Sequence, residues 1–414
     1  MTISHFALII TIASLLSVFA GCSKHQPTNL DEVLALYREN KLEQALPLFE
    51  QLVAQDKNNP ETYVWLAETY RRLGKKEKAV KTARIALELD PCNSFAHTVL
   101  AEASNPIVGE WELANSDTTW LHLMKAIECD STDGNPWLTL WGEAIHRGEP
   151  LLMHRALRRM VETGFLTKAA LSYGRWMLQA LPENAILLTN GDMDTYPPFA
   201  VQEVEGFRRD VVIVNRGTLN TKWYARFIRD YAGVPLPVDD AQLENLTAYK
   251  DHQGNSVTPS DQIFRKWVEQ KSKGSFNRPI AVAVTVDTGF LSGIQNNMRF
   301  AGAFLQWHDV ATAKTYDTAS MYASLEGLSP DDFTGPWVSD QDHSPIRRMY
   351  TKNIVQNVTL TATLYGELLL EAKRVPETNR WANWADELDR VAELGPVFTE
   401  RIAQLKKDIA KTTR

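Results

Sequence analysis

Between Ala185 and Arg216 the chain reads AILLTNGDMDTYPPFAVQEVEGFRRDVVIVNR, two short apolar runs flanking a segment with room for one helix. Parallel strands cannot be joined by a tight turn; they need a crossover of roughly a dozen residues or more, usually helical. The order strand (Ala185–Thr189), helix, strand (Val211–Asn215) therefore predicts a parallel βαβ unit. Its first strand runs into a polar turn carrying Asp192 and Asp194. Open α/β sheets bind ligands at the carboxyl ends of their strands, so the two carboxylates mark a candidate site. The pattern leaves the ligand open.

Downstream segments extend the sheet. Leu151–Leu181 is helical in pattern and stops at Pro182; Lys222–Tyr231 reads as a second helix, followed by a Pro-rich loop over Gly233–Pro237. Thr258-Pro-Ser-Asp261 opens another helix, with Thr258 as cap, Pro259 in the first position and an acid in the first turn. A third apolar run, Ile280–Val286, ends at Asp287. Strands alternating with helices predict a small doubly wound α/β (Rossmann-like) domain over 181–295. If its strands are neighbours, Asp192, Asp194, Asn215, Arg216 and Asp287 come to one sheet edge.

Upstream the chain is repetitive. Asp56-Lys-Asn-Asn-Pro60 recurs as Asp90-Pro-Cys-Asn-Ser94, 34 residues later. Tyr63, Leu66, Ala67, Tyr70, Gly74, Ala79, Ala83, Ala86 and Pro91 occupy the aromatic, small and Pro positions of a helical hairpin. Small residues are needed where two helices cross closely, and Pro stops the second helix. This segment resembles the tetratricopeptide repeat. Ala45 and Phe49 fit a degenerate first repeat. A third starts at Phe95–Ala103 and resumes at Trp120–Cys129 after an insertion around Asn105–Ser116; a fourth begins at Trp137. The expectation is an all-α array over 30–180 that presents a groove to a protein partner. The alternative is that the repeats only pack against the next domain. Cys92 and Cys129 flank the third hairpin at ends that lie side by side, so a disulfide and two buried thiols are both compatible.

The first residues set the compartment. Phe6–Ala20 is a long uncharged apolar stretch, short for a membrane span and right for a signal-peptide core. It ends in Phe19-Ala20-Gly21-Cys22, which resembles a bacterial lipobox, with Phe19 where Leu is usual and no Lys or Arg before the apolar core. The expectation is a signal peptide over 1–21, lipidation of Cys22 with palmitate among the acyl chains, and a polar tether over 22–29. Cleavage after Ala20 without lipidation is the plainer alternative. Ser23 is not an inner-membrane retention Asp, which directs the expectation to the outer membrane, facing the periplasm. A formal charge of -7 without a basic cluster argues against nucleic acid as a partner.

The block around the βαβ unit is more specific. Asn190-Gly-Asp-Met-Asp-Thr-Tyr-Pro197, Gln202-Glu-Val-Glu-Gly206, Arg209-Asp-Val211, Val214-Asn215 and Leu219-Asn-Thr-Lys-Trp-Tyr224 form its core. They resemble a recurring pattern of the protein O-mannosyltransferase-like family typified by transmembrane protein 260. In many bacterial members that pattern lies in the soluble C-terminal part. The resemblance spans Leu181–Pro396 and departs at Met193, Arg209 and Lys222, where Asn, Pro and Asp are usual. The membrane-spanning transferase part has no counterpart here. The resemblance thus implies a shared accessory domain, and it assigns no catalytic residue.

Asp192-Met193-Asp194 is formally the Asp-x-Asp with which metal-dependent glycosyltransferases hold a divalent cation and a diphosphate. Asp residues in turns otherwise bind local backbone N–H groups or cap the next helix. Gln202, Glu203 and Glu205 read as the solvated face of the crossover helix, and Arg208 and Arg209 as complements to its dipole. His122, His146 and His154 stand singly on helices and read as structural. No metal, phosphate-loop, dinucleotide or serine-hydrolase motif occurs. Trp381 and Trp384 on Thr378–Leu394 read as packing against Val358–Leu370, within a helical, repeat-like region over 296–414. The preferred reading is a non-catalytic envelope adaptor in glycan or glycoprotein assembly, meeting a protein partner through the repeat groove and the membrane through its lipid. One alternative is a sugar or nucleotide-sugar enzyme using Asp192 and Asp194, with a divalent cation as its cofactor. The other is a small-ligand receptor at the same sheet edge.

Overall fold

The computed structural model describes residues 29–108, 112, 114–311, 314–335 and 342–412. Cys22, with the leader and most of the tether, lies outside the described residues. The array comprises α1 (Leu30–Arg38), α2 (Leu42–Gln55), α3 (Pro60–Arg72), α4 (Lys76–Leu89), α5 (Ser94–Ala103), α6 (Ser116–Cys129), α7 (Asn135–His146), α8 (Pro150–Glu162) and α9 (Lys168–Gln179). Several helices start where an Asn side chain accepts an otherwise orphaned N–H: Asn59, Asn93 and Asn115 take those of Thr62, Ala96 and Thr118 at 3.3, 2.9 and 2.9 Å. Ala67, Ala79, Ala83 and Ala86 are fully buried in the α3–α4 hairpin, so the sequence period is a record of close helix contact. In the third hairpin, a Cys92–Cys129 disulfide ties the start of α5 to the end of α6, Cα atoms 5.2 Å apart.

β1 (Ile186–Thr189), α10 (Asp192–Glu205) and β2 (Val212–Asn215) form the βαβ unit, with Ile186 opposite Val212 and Thr189 opposite Asn215 in parallel register. Asp192 and Asp194 lie in the first turn of α10 rather than in a free loop, because only Asn190 and Gly191 separate strand from helix. α9 passes α10 so closely that a Cβ on Gly174 would sit 2.6 Å from the Pro197 carbonyl.

Beyond β2 come α11 (Lys222–Asp230), α12 (Asp240–Glu244), a small antiparallel pair β3 (Tyr249–Lys250) and β4 (Ser256–Val257), and α13 (Pro259–Ser272). α13 starts with a reciprocal cap, Asp261 N–H donating to Thr258 Oγ1 (3.3 Å) and Thr258 N–H to Asp261 Oδ2 (2.7 Å). β5 (Ile280–Ala283) pairs parallel with the other side of β1 and stops short of Asp287. Two strands inside the region expected to be helical, β6 (Met298–Phe300) and β7 (Phe304–Trp307), add an antiparallel edge. The sheet is therefore five-stranded and mixed, in the order β2-β1-β5-β7-β6. Runs of three or four residues separated by Gly302 are too short to show a strand alternation in the sequence.

β1 and β5 are buried along their whole length, as strands covered on both faces are. The chain leaves β1 for β2 and returns to the far side of β1 as β5. With the connections from β1 running to opposite sides, the β1/β5 edge is a topological switch point. α14 (Thr318–Leu325) then packs on α9, and α15 (Pro345–Glu371) packs on α10 and pairs with α16 (Val375–Ala392); α17 (Pro396–Thr412) closes that pair. Trp381 of α16 meets Tyr365 of α15 edge-on at 5.6 Å. One apolar core runs from α5 and α6 through the sheet into α17, and a second fills α1–α5. Among the described residues no helix is long and apolar enough to cross a membrane.

Candidate functional site

The carboxyl end of β1, the turn after β5, the start of α15 and one residue of α3 enclose a cavity of about 620 Å³. Its polar wall includes Asn190, Asp192, Thr285, Arg347 and Asn357, with Arg72 reaching in from the repeats. The two acids have different parts here. Asp194 is buried and accepts the Asn190 and Gly191 N–H groups at 2.7 and 2.8 Å, and also the Thr285 hydroxyl. It caps its own helix and ties β1 to the turn after β5. Burial pushes its pKa up, against the pull of those hydrogen bonds.

Asp192 keeps a side chain 45% exposed and pairs with Arg347 Nη1 at 3.3 Å. Arg347 is in turn held by the fully buried Asp342 carboxylate, which accepts from its Nε and Nη2 at 2.7–3.1 Å. Its guanidinium lies 5.5 Å over the Phe165 ring. Burial alone would lower the Arg347 pKa; the Asp342 and Asp192 charges reverse this and raise it. A cation clamp needs carboxylates with free, converging oxygens. Both Asp194 oxygens are already bonded, and Asp192 faces a guanidinium. Among the described residues no group of three His, Cys, Asp or Glu side chains could share a metal ion. The Asp-Met-Asp run is a helix cap plus one cavity carboxylate.

Asn215, Arg216 and Asp287 do not line the cavity. Asn215 is buried; its Nδ2 donates to Thr195 Oγ1 (2.9 Å) and its Oδ1 accepts the Thr218 N–H (2.8 Å), fastening β2 to α10. Arg216 turns to Asp261 (3.1 Å) and lies 4.6 Å over the Phe290 ring. Asp287 caps a short turn through the Gly289 N–H at 2.8 Å. The reason is topological: β2 lies on the far side of β1 from β5, and Asp287 falls past the end of β5. Glu205 is exposed, as expected of a solvated face, and pairs with Arg175, whereas Glu203 is drawn into pairs with Arg158 and His154. Arg209 does complement its helix end, donating to the Gln202 and Glu203 carbonyls at 2.9 and 3.2 Å. His122 has a partner, its Nδ1 2.8 Å from that of His97.

Sequence reasoning missed the residues that join array and sheet. The first helices of the four hairpins, α1, α3, α5 and α7, form a row, and the segment just before α15 lies against it. His343 lies tilted against Phe95 (ring centroids 3.7 Å apart) and meets Trp65 edge-on at 5.5 Å. Its carbonyl accepts from the Tyr37 hydroxyl (2.9 Å), and its N–H donates to Asn135 Oδ1 (3.4 Å). One residue thus touches all four first helices. Beneath it the buried Glu68 accepts from Arg71 Nε (2.6 Å) and Arg72 Nε (2.7 Å) and lies 3.2 Å from the Tyr37 hydroxyl. Burial would raise the Glu68 pKa, but the two guanidinium groups hold it down at about 2. Burial pushes the His343 pKa down, although Asp133, Glu68, Asp342 and Glu102 oppose this. Trp65 and Phe95, large aromatics on consecutive first helices, were the available hint.

Residues 36–103 match the tetratricopeptide-repeat profile. They are tetratricopeptide repeats, and such repeats are protein-interaction scaffolds. Residues 170–273 match the profile of TMEM260-associated domain 2, a span that contains β1, α10, β2, α11 and α12 and the whole block from Asn190 to Tyr224. Among solved structures the chain is similar to a thermophilic tetratricopeptide-repeat protein of Thermus thermophilus, at 17% identity over 52% of this chain and 93% of that one, TM-score 0.32. It is similar also to MamA, at 16% identity over 44% and 89%, TM-score 0.30. MamA from Desulfovibrio magneticus gives 14% identity over 32% and 89%, TM-score 0.17. No curated protein matches the chain.

Proposed function

We propose that this protein is a non-catalytic interaction adaptor of the cell envelope, anchored in the outer membrane through lipid on Cys22 and serving glycan or glycoprotein assembly. The observation that carries the adaptor reading is the seat of His343. Tyr37 takes a main-chain carbonyl, Asn135 a main-chain N–H, and Trp65 with Phe95 a side chain. Those are the parts needed to grip an extended peptide, with main-chain bonds for affinity and a side-chain pocket for choice. The partner in this reading is an extended segment of an envelope protein that takes the place of the resident one. Support for the envelope comes from Phe19–Cys22 and from the similarity of residues 170–273 to a TMEM260-associated domain.

Photo-cross-linking in intact envelopes tests the adaptor. His343→Ala vacates the pocket and is expected to increase capture of a discrete partner, whereas Trp65→Ala is expected to abolish it. Equal capture by wild type and both variants overturns the reading. Metabolic labelling with a palmitate analogue tests the anchor separately: label on Cys22→Ala equal to wild type removes the lipid.

A second reading, a receptor for a small polar ligand, is favoured by the Asp192 carboxylate facing the switch-point cavity. Ligand-observed fragment screening on wild type and Asp192→Ala tests it. Binders lost with Asp192 support a receptor, and binders indifferent to Asp192 remove it.

A further inference from the structure

A second cavity, of about 540 Å³, opens between α8, α10, β2 and α11, on the side where β2 is the outer strand of the sheet. Its floor is apolar, built from Leu157, Phe199, Val212 and Phe227, and Leu151 stands at its rim 82% exposed. Charge is confined to the mouth. His154 of α8 places Nδ1 2.6 Å from Glu203 Oε2 and Nε2 2.6 Å from the Tyr231 hydroxyl at the end of α11. A carboxylate only accepts, so Nδ1 donates to Glu203, while Nε2 and the Tyr231 hydroxyl share the second hydrogen bond. The phenol, stacked on Phe227 at 5.0 Å, thereby bridges α11 to α8 and fixes the width of the opening.

The ionisable lining is otherwise Arg158, Arg209 and Glu203. Arg158 pairs with Glu203 through Nη1, and Arg209 gives Nε and Nη2 to helix carbonyls. Two guanidinium charges meet one carboxylate, and each guanidinium has more donors than these bonds use. The mouth is net positive over an apolar floor.

We propose that this cavity binds a small amphipathic anion, its apolar body against Phe199 and Phe227 and its head group on Arg158. The volume falls within the roughly 300–1,000 Å³ of small-molecule sites, and apolar walls with a few placed polar groups are their usual construction. A neutral head leaves the excess positive charge unanswered, and a cationic head is repelled by it. His154 and Tyr231 act as positioning residues that hold the rim.

Titration calorimetry on the full chain tests this with octanoate as the probe and octanol and octylammonium as controls of equal chain length. Octanoate is expected to bind at least about tenfold more tightly than octylammonium, and Arg158→Gln to weaken octanoate about tenfold while leaving octanol unchanged. Leu151→Asp, at an exposed rim position where folding is not at stake, is expected to weaken octanoate and spare octylammonium. Absence of octanoate binding in the millimolar range, equal binding of octylammonium, or octanoate affinity unchanged in both variants overturns the proposal.

Discussion

Glu68→Gln would strip the repeat row of the charge around which it is assembled. The carboxylate is 2% exposed and takes Arg71 and Arg72 at 2.6 and 2.7 Å. Its pKa falls from 4.5 to about 2 in the folded chain. At about 1.4 kcal/mol per unit, that difference contributes about 3 kcal/mol of stability at neutral pH. The sign follows from a depressed pKa: the contribution is complete above 4.5, the unfolded value, and is lost as pH falls toward 2. Linkage leaves about half of it at pH 3. Gln retains the shape without the charge, and among the described residues Arg71 is left with the Glu102 carboxylate at 2.9 Å. We expect Glu68→Gln to cost about 3 kcal/mol at pH 7 and about half that at pH 3, in line with the roughly 3–5 kcal/mol of a broken buried pair. Urea unfolding followed by circular dichroism measures both. A cost below about 1 kcal/mol at pH 7, or an equal cost at the two pH values, would show that the guanidinium charges do not hold this carboxylate as described.

Three other perturbations probe separate parts. Cys92→Ser opens a loop of sequence separation 37, and chain entropy puts the loss at about 4 kcal/mol of array stability; urea midpoints that do not respond to the substitution or to dithiothreitol refute it. Asp194→Ala is expected to cost about 2–4 kcal/mol, since it removes a buried carboxylate that takes the part-buried Asn190 and Gly191 N–H groups and the Thr285 hydroxyl. Asp192→Ala costs less than about 1 kcal/mol, because its ion pair is half exposed; equal melting shifts for the two would contradict their different roles. Gly174→Ala drives a Cβ to 2.6 Å from the Pro197 carbonyl and is expected to cost about 1–3 kcal/mol by separating α9 from α10. A variant that melts with wild type would mean that the two helices can move apart freely.

The helical hairpins were readable because burial on a helix repeats locally: Ala67, Ala79, Ala83 and Ala86 mark contact within one hairpin. The βαβ unit was readable for a similar reason, as fully buried strands such as Ile186–Thr189 and Ile280–Ala283 are uninterrupted apolar runs. Thr258 and Asp261 declared a helix start by their spacing alone. β6 and β7 gave no such signal, being too short for a period and dependent on β5 for their partner.

The amino-acid sequence by itself determined the helical hairpins, the βαβ unit and the arrival of two carboxylates at the carboxyl end of β1. Only the tertiary structure decided what those carboxylates can do. Asp194 is filled by Thr285, 91 residues away, and Asp192 faces Arg347, 155 residues away. The repeat row is likewise filled by His343, 306 residues from Tyr37. Local patterns report burial over a few turns of chain. Which side chains meet across such distances depends on how α15 packs against α10 and how the segment before it meets the row, and that packing leaves no period in the sequence.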